Sequence, residues 1–239
     1  MSKSLALVWR ELRAYFYSPI AYVVLAAFLV IEGIFFGLDF VPGQTAEMRG
    51  TFERLALFVL MFILPLVTMR LVSEELSRGT IETLMTAPVT DTQVILGKYF
   101  GAMAFYLVLL ASTLIFVAIL AVYGSPEPGP IVTGYVGLTL MGAMFISVGL
   151  LTSVCTRSQI VAALIAFLFL ALMTFVVNWL SMKVEGWPRR ILQYVGFFDH
   201  YRNFSKGTLP LNDVVFFLSM TALALFLSVK ILESRKWRA

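Results

Sequence analysis

Histidine and cysteine are almost missing from this chain, with only His200 and Cys155 among 239 residues. A lone cysteine excludes an intrachain disulfide and a cysteine-held metal. One histidine supplies neither a zinc cluster nor the usual acid–base machinery, so no metal site and no catalytic residue is assigned. Charge is scarce too: Asp, Glu, Lys and Arg make up 13% of the residues, about half the roughly 25% of a soluble domain. The net charge of +4 reads as basic loops on one side of a membrane rather than as nucleic-acid binding. Gly97-Lys98 precedes Tyr99 and lacks the earlier glycine of a phosphate-cradling loop. The His-Glu-x-x-His and Gly-x-Ser-x-Gly patterns are absent as well, which removes the common metalloprotease and hydrolase readings. The first apolar stretch, Leu5 to Trp9, is too short for the core of a signal peptide.

What is abundant is apolar surface. Hydrophobic residues make up 60% of the chain and the mean hydropathy is +0.90. Apolar runs longer than ~18 residues recur, and such runs cross bilayers as helices. The expectation is a single all-α membrane domain over residues 1–239, with spans near 20–38, 55–72, 99–123, 131–153, 160–181 and 213–231. Pro65 inside span two predicts a kink. Span four is rich in Gly134, Gly137, Gly142, Ala143, Ser147 and Gly149. Small residues let helix backbones approach closely in lipid, which places this span centrally in the bundle.

Residues 1–18 fit an amphipathic helix. Leu5, Val8, Trp9, Leu12, Tyr15 and Phe16 lie to one side, with Arg10 and Arg13 elsewhere. Aromatic residues on an apolar face beside arginines suit a helix lying in the membrane interface; the plainer reading is a short extension of span one. Ser18-Pro19 ends this helix, because proline disfavours the α conformation in the residue before it. Residues 39–54 read as a loop, 124–130 as a tight proline-rich loop, and 182–212 as a polar and aromatic external loop.

Six spans put both termini on one side. That side carries eleven lysines and arginines against seven on the other. The expectation is a multi-pass protein of the inner (plasma) membrane, and the basic excess puts both termini in the cytoplasm.

The informative polar segment is 73–98. Glu74 and Arg78 are four apart, as are Arg78 and Glu82, a spacing that supports a helix. Leu76, Ile81, Leu84 and Met85 add apolar surface, Pro88 ends the helix, and Thr90 with Gln93 forms a capping box for the next one. By physics alone this is either a docking element or a solvated connector.

The pattern Glu74-Glu75-x-x-x-Gly79-Thr80-Ile81-Glu82-x-Leu84, then Pro88-Val89-Thr90 and Gly97-Lys98, resembles the first cytoplasmic loop of type 2 ATP-binding-cassette (ABC) exporter permeases. In that family the loop holds a coupling helix seated in a groove of the ATPase subunit. The resemblance implies ATPase-coupling roles for Glu74, Glu75, Arg78, Gly79, Thr80, Ile81, Glu82, Leu84, Met85 and Pro88. Two further stretches, residues 11–23 and 197–217, resemble the gliding-motility-associated, GldF-like branch. The implied protein is a permease subunit with a separate ABC ATPase that binds ATP and Mg, a second permease subunit as partner, and the lipid bilayer around both. The implied function is ATP-driven export, the chain itself being no enzyme. A non-transporting component of a motility or envelope machine is the alternative, and an ion-coupled secondary transporter a third reading.

Two further residues stand out. Glu32 is the acidic residue well inside a span, ~9 Å from its outer end at ~1.5 Å per residue. A carboxylate there is a functional candidate by default, or a structural hydrogen-bonding group. His200, between Asp199 and Tyr201, reads as part of a structural aromatic loop whose short helices dip into the outer interface.

Overall fold

The computed structural model describes residues 3–39, 48–80, 90–124 and 126–236. Their regular structure is helical, and six helical stretches are long and apolar enough to cross a membrane: Ala21–Leu38, Arg49–Arg78, Asp91–Tyr123, Pro128–Cys155, Gln159–Lys183 and Leu211–Arg235. The chain is an all-α membrane protein.

Helix α1 (Lys3–Phe16) is followed by α2 (Pro19–Asp39), the first span, after a break at Tyr17 and Ser18. Span two is one helical run with changes of pitch: α3 (Arg49–Arg54), a π turn (Leu55–Val59), α4 (Leu60–Thr68) and α5 (Arg70–Arg78). Span three comprises α6 (Asp91–Ser112) and α7 (Leu114–Tyr123); span four is α8 (Pro128–Cys155). Span five contains α9 (Gln159–Ala171), a second π turn (Leu172–Val176) and α10 (Val177–Lys183). The short helices α11 (Trp187–Val195) and α12 (Phe197–Ser205) lead to span six, α13 (Leu211–Lys236).

Span two outgrows the apolar window at both ends. Residues 49–54, expected as loop, are helical, and an Arg49–Glu53 ion pair of 3.0 Å one turn apart supports them. Helical hydrogen bonding does not stop where hydropathy falls. The break in this span comes at Met69, four residues beyond Pro65, which itself sits inside α4. Ser153 of span four fills the break. Its hydroxyl accepts from the amides of Val72 and Ser73, both at 3.0 Å, and donates to the Met69 carbonyl at 2.9 Å. Backbone groups released by the change of pitch are thus satisfied inside the bundle, as a low-dielectric interior requires.

Span four is the hub. Of its most apolar stretch 78% is buried, against 17% for span six, and spans two, three, five and six and helix α12 all pack against it. The small residues read from the sequence explain why. At Gly142 a Cβ would stand 2.1 Å from Cε1 of Tyr106, so the bare backbone is what admits that ring. The ring's hydroxyl then donates to the Leu138 carbonyl at 2.7 Å.

The two ends of the bundle differ. One gathers α1, α5, the start of α6, the end of α8 and the end of α13, where Arg235 donates to the Val154 carbonyl at 2.9 Å. The other gathers α3, α11, α12 and the start of α13. There Ser205 donates to Glu53 at 2.9 Å and Thr133 to the Phe204 carbonyl at 2.8 Å.

Candidate coupling site

Helix α5 carries the first residues of the loop singled out from sequence. Glu74 pairs with Arg78 at 2.7 Å, as the four-residue spacing predicts. The helix does not run on toward Met85. It ends at Gly79, whose φ of +71° lies in the left-handed region that glycine enters without a Cβ penalty. The helix is therefore not continuous through Gly79, which corrects the expected unbroken helix from Glu74 to Met85. Thr80 follows, exposed, its hydroxyl 3.5 Å from the Glu75 carbonyl. Ile81, Glu82, Leu84, Met85 and Pro88 lie outside the described residues. At Thr90 the chain enters α6 through the expected capping box, with Gln93 N donating to Thr90 Oγ1 and Thr90 N donating to Gln93 Oε1, both at 3.2 Å.

Glu75 turns inward and meets two residues that the sequence did not mark as a site. Lys98, on α6, has a side chain only 4% exposed, with Nζ 2.8 Å from Glu75 and 3.4 Å from Glu11 of α1. Arg10 adds a 2.9 Å contact to Glu11 and a 3.8 Å contact to Glu75. A buried ammonium is very costly alone and tolerable between two carboxylates. The cluster ties α1, α5 and the entry of span three together at the root of the loop. One turn beyond Lys98, a Cβ on Gly101 would stand 2.6 Å from Cβ of Glu11. Glycine there is what brings α1 close enough for the ion pair.

Helix α1 is consequently a packed element. Tyr15 stacks on Phe105 with centroids 4.9 Å apart and donates to the Val67 carbonyl at 2.9 Å. Burial pushes its hydroxyl well above the ordinary phenol range, against the pull of Arg70. Trp9 remains about half exposed. The apolar side expected to face the interface is thus divided, with Tyr15 facing the protein.

Glu32 lies on the buried stripe of α2 formed by Ala21, Phe28, Glu32 and Phe36, and is 1% exposed. It faces the bundle and not lipid. Tyr201 of α12, fully buried, has its hydroxyl pushed well up by burial first, then by Tyr106, Glu53 and Glu32. Among the described residues, Glu32 on α2 and the Lys98 cluster of α1, α5 and α6 are separate features.

In the expected external loop, α11 keeps Trp187, Ile191 and Tyr194 exposed, as an interfacial helix would. Helix α12 departs from that expectation. Phe197, Phe198, Tyr201 and Phe204 are core residues. His200 has a full set of partners: Nδ1 is 2.7 Å from Asp213, Nε2 is 2.8 Å from the Tyr194 carbonyl, and the ring stacks on Phe216 at 3.9 Å. A carbonyl only accepts, so Nε2 carries a hydrogen. Asn203 also donates to Asp213, at 2.7 Å. Asp213→Ala strips His200 and Asn203 of their shared partner and is expected to cost about 2 kcal/mol. Faster amide exchange confined to residues 197–213 would show it; unchanged exchange there would refute it.

A model of the ABC-2 family transporter proteins matches residues 5–236. The chain belongs to the ABC-2 transporter family. No curated protein matches it. As an ABC-2 protein it is a multi-pass membrane component of a transporter family. The features missed from sequence are Lys98, Glu11 and Arg10. The available signal was a lysine opening an apolar span and a glutamate within the stretch at residues 11–23.

Proposed function

We propose that this ABC-2 chain is the permease subunit of an ATP-driven exporter in the inner membrane. A separate ABC ATPase supplies the nucleotide site, holding ATP and Mg, and a second permease subunit completes the pore. The observation that carries this reading is the family match across nearly the whole chain, residues 5–236. The loop from Glu74 to Pro88 is the docking element for the ATPase, with Glu74, Glu75, Arg78, Gly79 and Thr80 forming its structured root. Closure of the ATPase pair moves this root, and the Lys98 cluster passes the displacement to α1 and span three together. Work of this kind requires contacts that differ between two states of the bundle. The basic excess on the side of the termini supports their cytoplasmic placement. The resemblance of residues 11–23 and 197–217 to the motility-associated branch favours a second reading, a non-transporting member that uses the same motion as a mechanical signal.

The test is purification of the tagged chain from its host in mild detergent. A stoichiometric ATPase with a phosphate-binding loop is expected to accompany it. Glu82→Lys is expected to abolish ATPase stimulation while the chain stays at normal levels in the membrane. A chain that purifies alone and still moves solute would overturn the proposal. Cargo movement into inverted vesicles separates export from the mechanical reading.

A further inference from the structure

At the end of the bundle that carries α1, a charged cavity runs into an apolar crevice. The cavity, about 430 Å³, is lined by Arg10, Glu11, Arg70, Glu75, Arg78 and Lys98 among others. The crevice, about 310 Å³, shares Tyr15, Arg70, Glu74 and Arg78 with it and continues along Val24, Leu66 and Phe105. Leu66 is half exposed on the outer surface of an apolar span, where acyl chains lie. The combined space is therefore polar at one end and open to hydrocarbon at the other.

Among the described residues, its carboxylates already have basic partners. Glu11 and Glu75 are engaged by Lys98 and Arg10, and Glu74 by Arg78. Arg70 lines both spaces, and its guanidinium carbon sits 4.7 Å from the centre of the Tyr15 ring. Among the described residues no carboxylate pairs with it. Stacking on an aromatic face fixes a guanidinium while leaving edge N–H groups to donate. A planar fork held this way at a membrane boundary matches the oxygens of a phosphate diester.

We propose that this space binds one anionic phospholipid, its phosphate on Arg70 and an acyl chain along Leu66 and Val24. The lipid places a negative charge beside Arg70 and lays its acyl chain against the apolar wall of Val24, Leu66 and Phe105. The site joins α1, span one and span two, so its occupant braces two of the elements that meet at the loop root, α1 and span two. The inference does not depend on the export reading, because it concerns the resting chain.

The full chain, stripped of lipid in mild detergent, is titrated with phosphatidylglycerol and observed by native mass spectrometry. One tightly held lipid per chain is expected. Arg70→Gln is expected to weaken its retention about tenfold or more, as loss of a charge-assisted fork should. Leu66→Trp, which closes the crevice mouth and leaves Arg70 in place, is expected to lose the lipid as well. Glycerol 3-phosphate in large excess is expected not to displace it. Wild-type retention in either variant overturns the proposal. Displacement by glycerol 3-phosphate overturns it in favour of a soluble phosphate compound. Exclusion of lipid by crosslinkable contact with a second copy across Leu66 overturns it in favour of a permease interface. Should Arg70→Gln fail to fold, Leu66→Trp alone decides.

Discussion

Replacing Lys98 by methionine is expected to destabilise the protein by about 3–5 kcal/mol, the usual cost of removing one member of a buried ion pair. The side chain is 4% exposed, and its loss leaves Glu11 and Glu75 with Arg10, itself half exposed, as their ion-pair partner among the described residues. Methionine keeps the volume, so packing is a minor part of the effect. The loss should appear as a lower thermal midpoint in detergent and as earlier proteolysis at the ends of α1 and α5. Neutralising both carboxylates in the same chain, with Glu11→Gln and Glu75→Gln, should recover most of the loss, because the charge left in the cluster, on Arg10, is half exposed to solvent. Additive damage from the three substitutions would show that Lys98 acts through something other than these pairs.

Gly142→Val is the second large effect. A Cβ alone would lie 2.1 Å from Cε1, 2.3 Å from Cζ and 2.5 Å from the hydroxyl oxygen of Tyr106. Tyr106 is fully buried and bonded to Leu138, so its ring cannot swing out to solvent and cannot move aside without straining that bond. The helices must separate or the hydrogen bond must break, at about 3 kcal/mol for the overpacking and about 1 kcal/mol for the bond. Gly37→Ala is the matched control. Nothing lies within 4 Å of that Cβ, and alanine in a helix should be neutral or stabilising by up to about 1 kcal/mol. Equal thermal midpoints for the two variants would contradict the close approach of α6 and α8. Tyr106→Ala in the Gly142→Val background should restore part of the loss by removing the obstructing ring.

Features carried by neighbours along the chain were legible in advance. Six spans follow from hydropathy because insertion in lipid depends on the local sum of transfer energies. The break at Ser18-Pro19, the Thr90–Gln93 capping box and the Glu74–Arg78 pair each involve residues no more than four apart. The central place of span four was readable because its small residues have no use at a lipid face. The helix end at Gly79 was less so. The loop pattern suggested continuity, whereas glycine's freedom at positive φ ended α5 there. Residues 49–54 were misread because hydropathy marks where the membrane is, not where backbone hydrogen bonding stops.

By itself, then, the sequence determined an all-α chain of six spans and the polar segment between spans two and three. Tertiary structure alone decided that Lys98 closes on Glu11 across 87 positions and on Glu75 across 23. It alone decided that Ser153 repairs the break at Met69, that His200 leans on Asp213, and that Glu32 faces inward. Each of these joins side chains on different helices. Their meeting depends on how far each helix is rotated about its axis, and hydropathy along one strand of sequence does not encode the rotation of its neighbour.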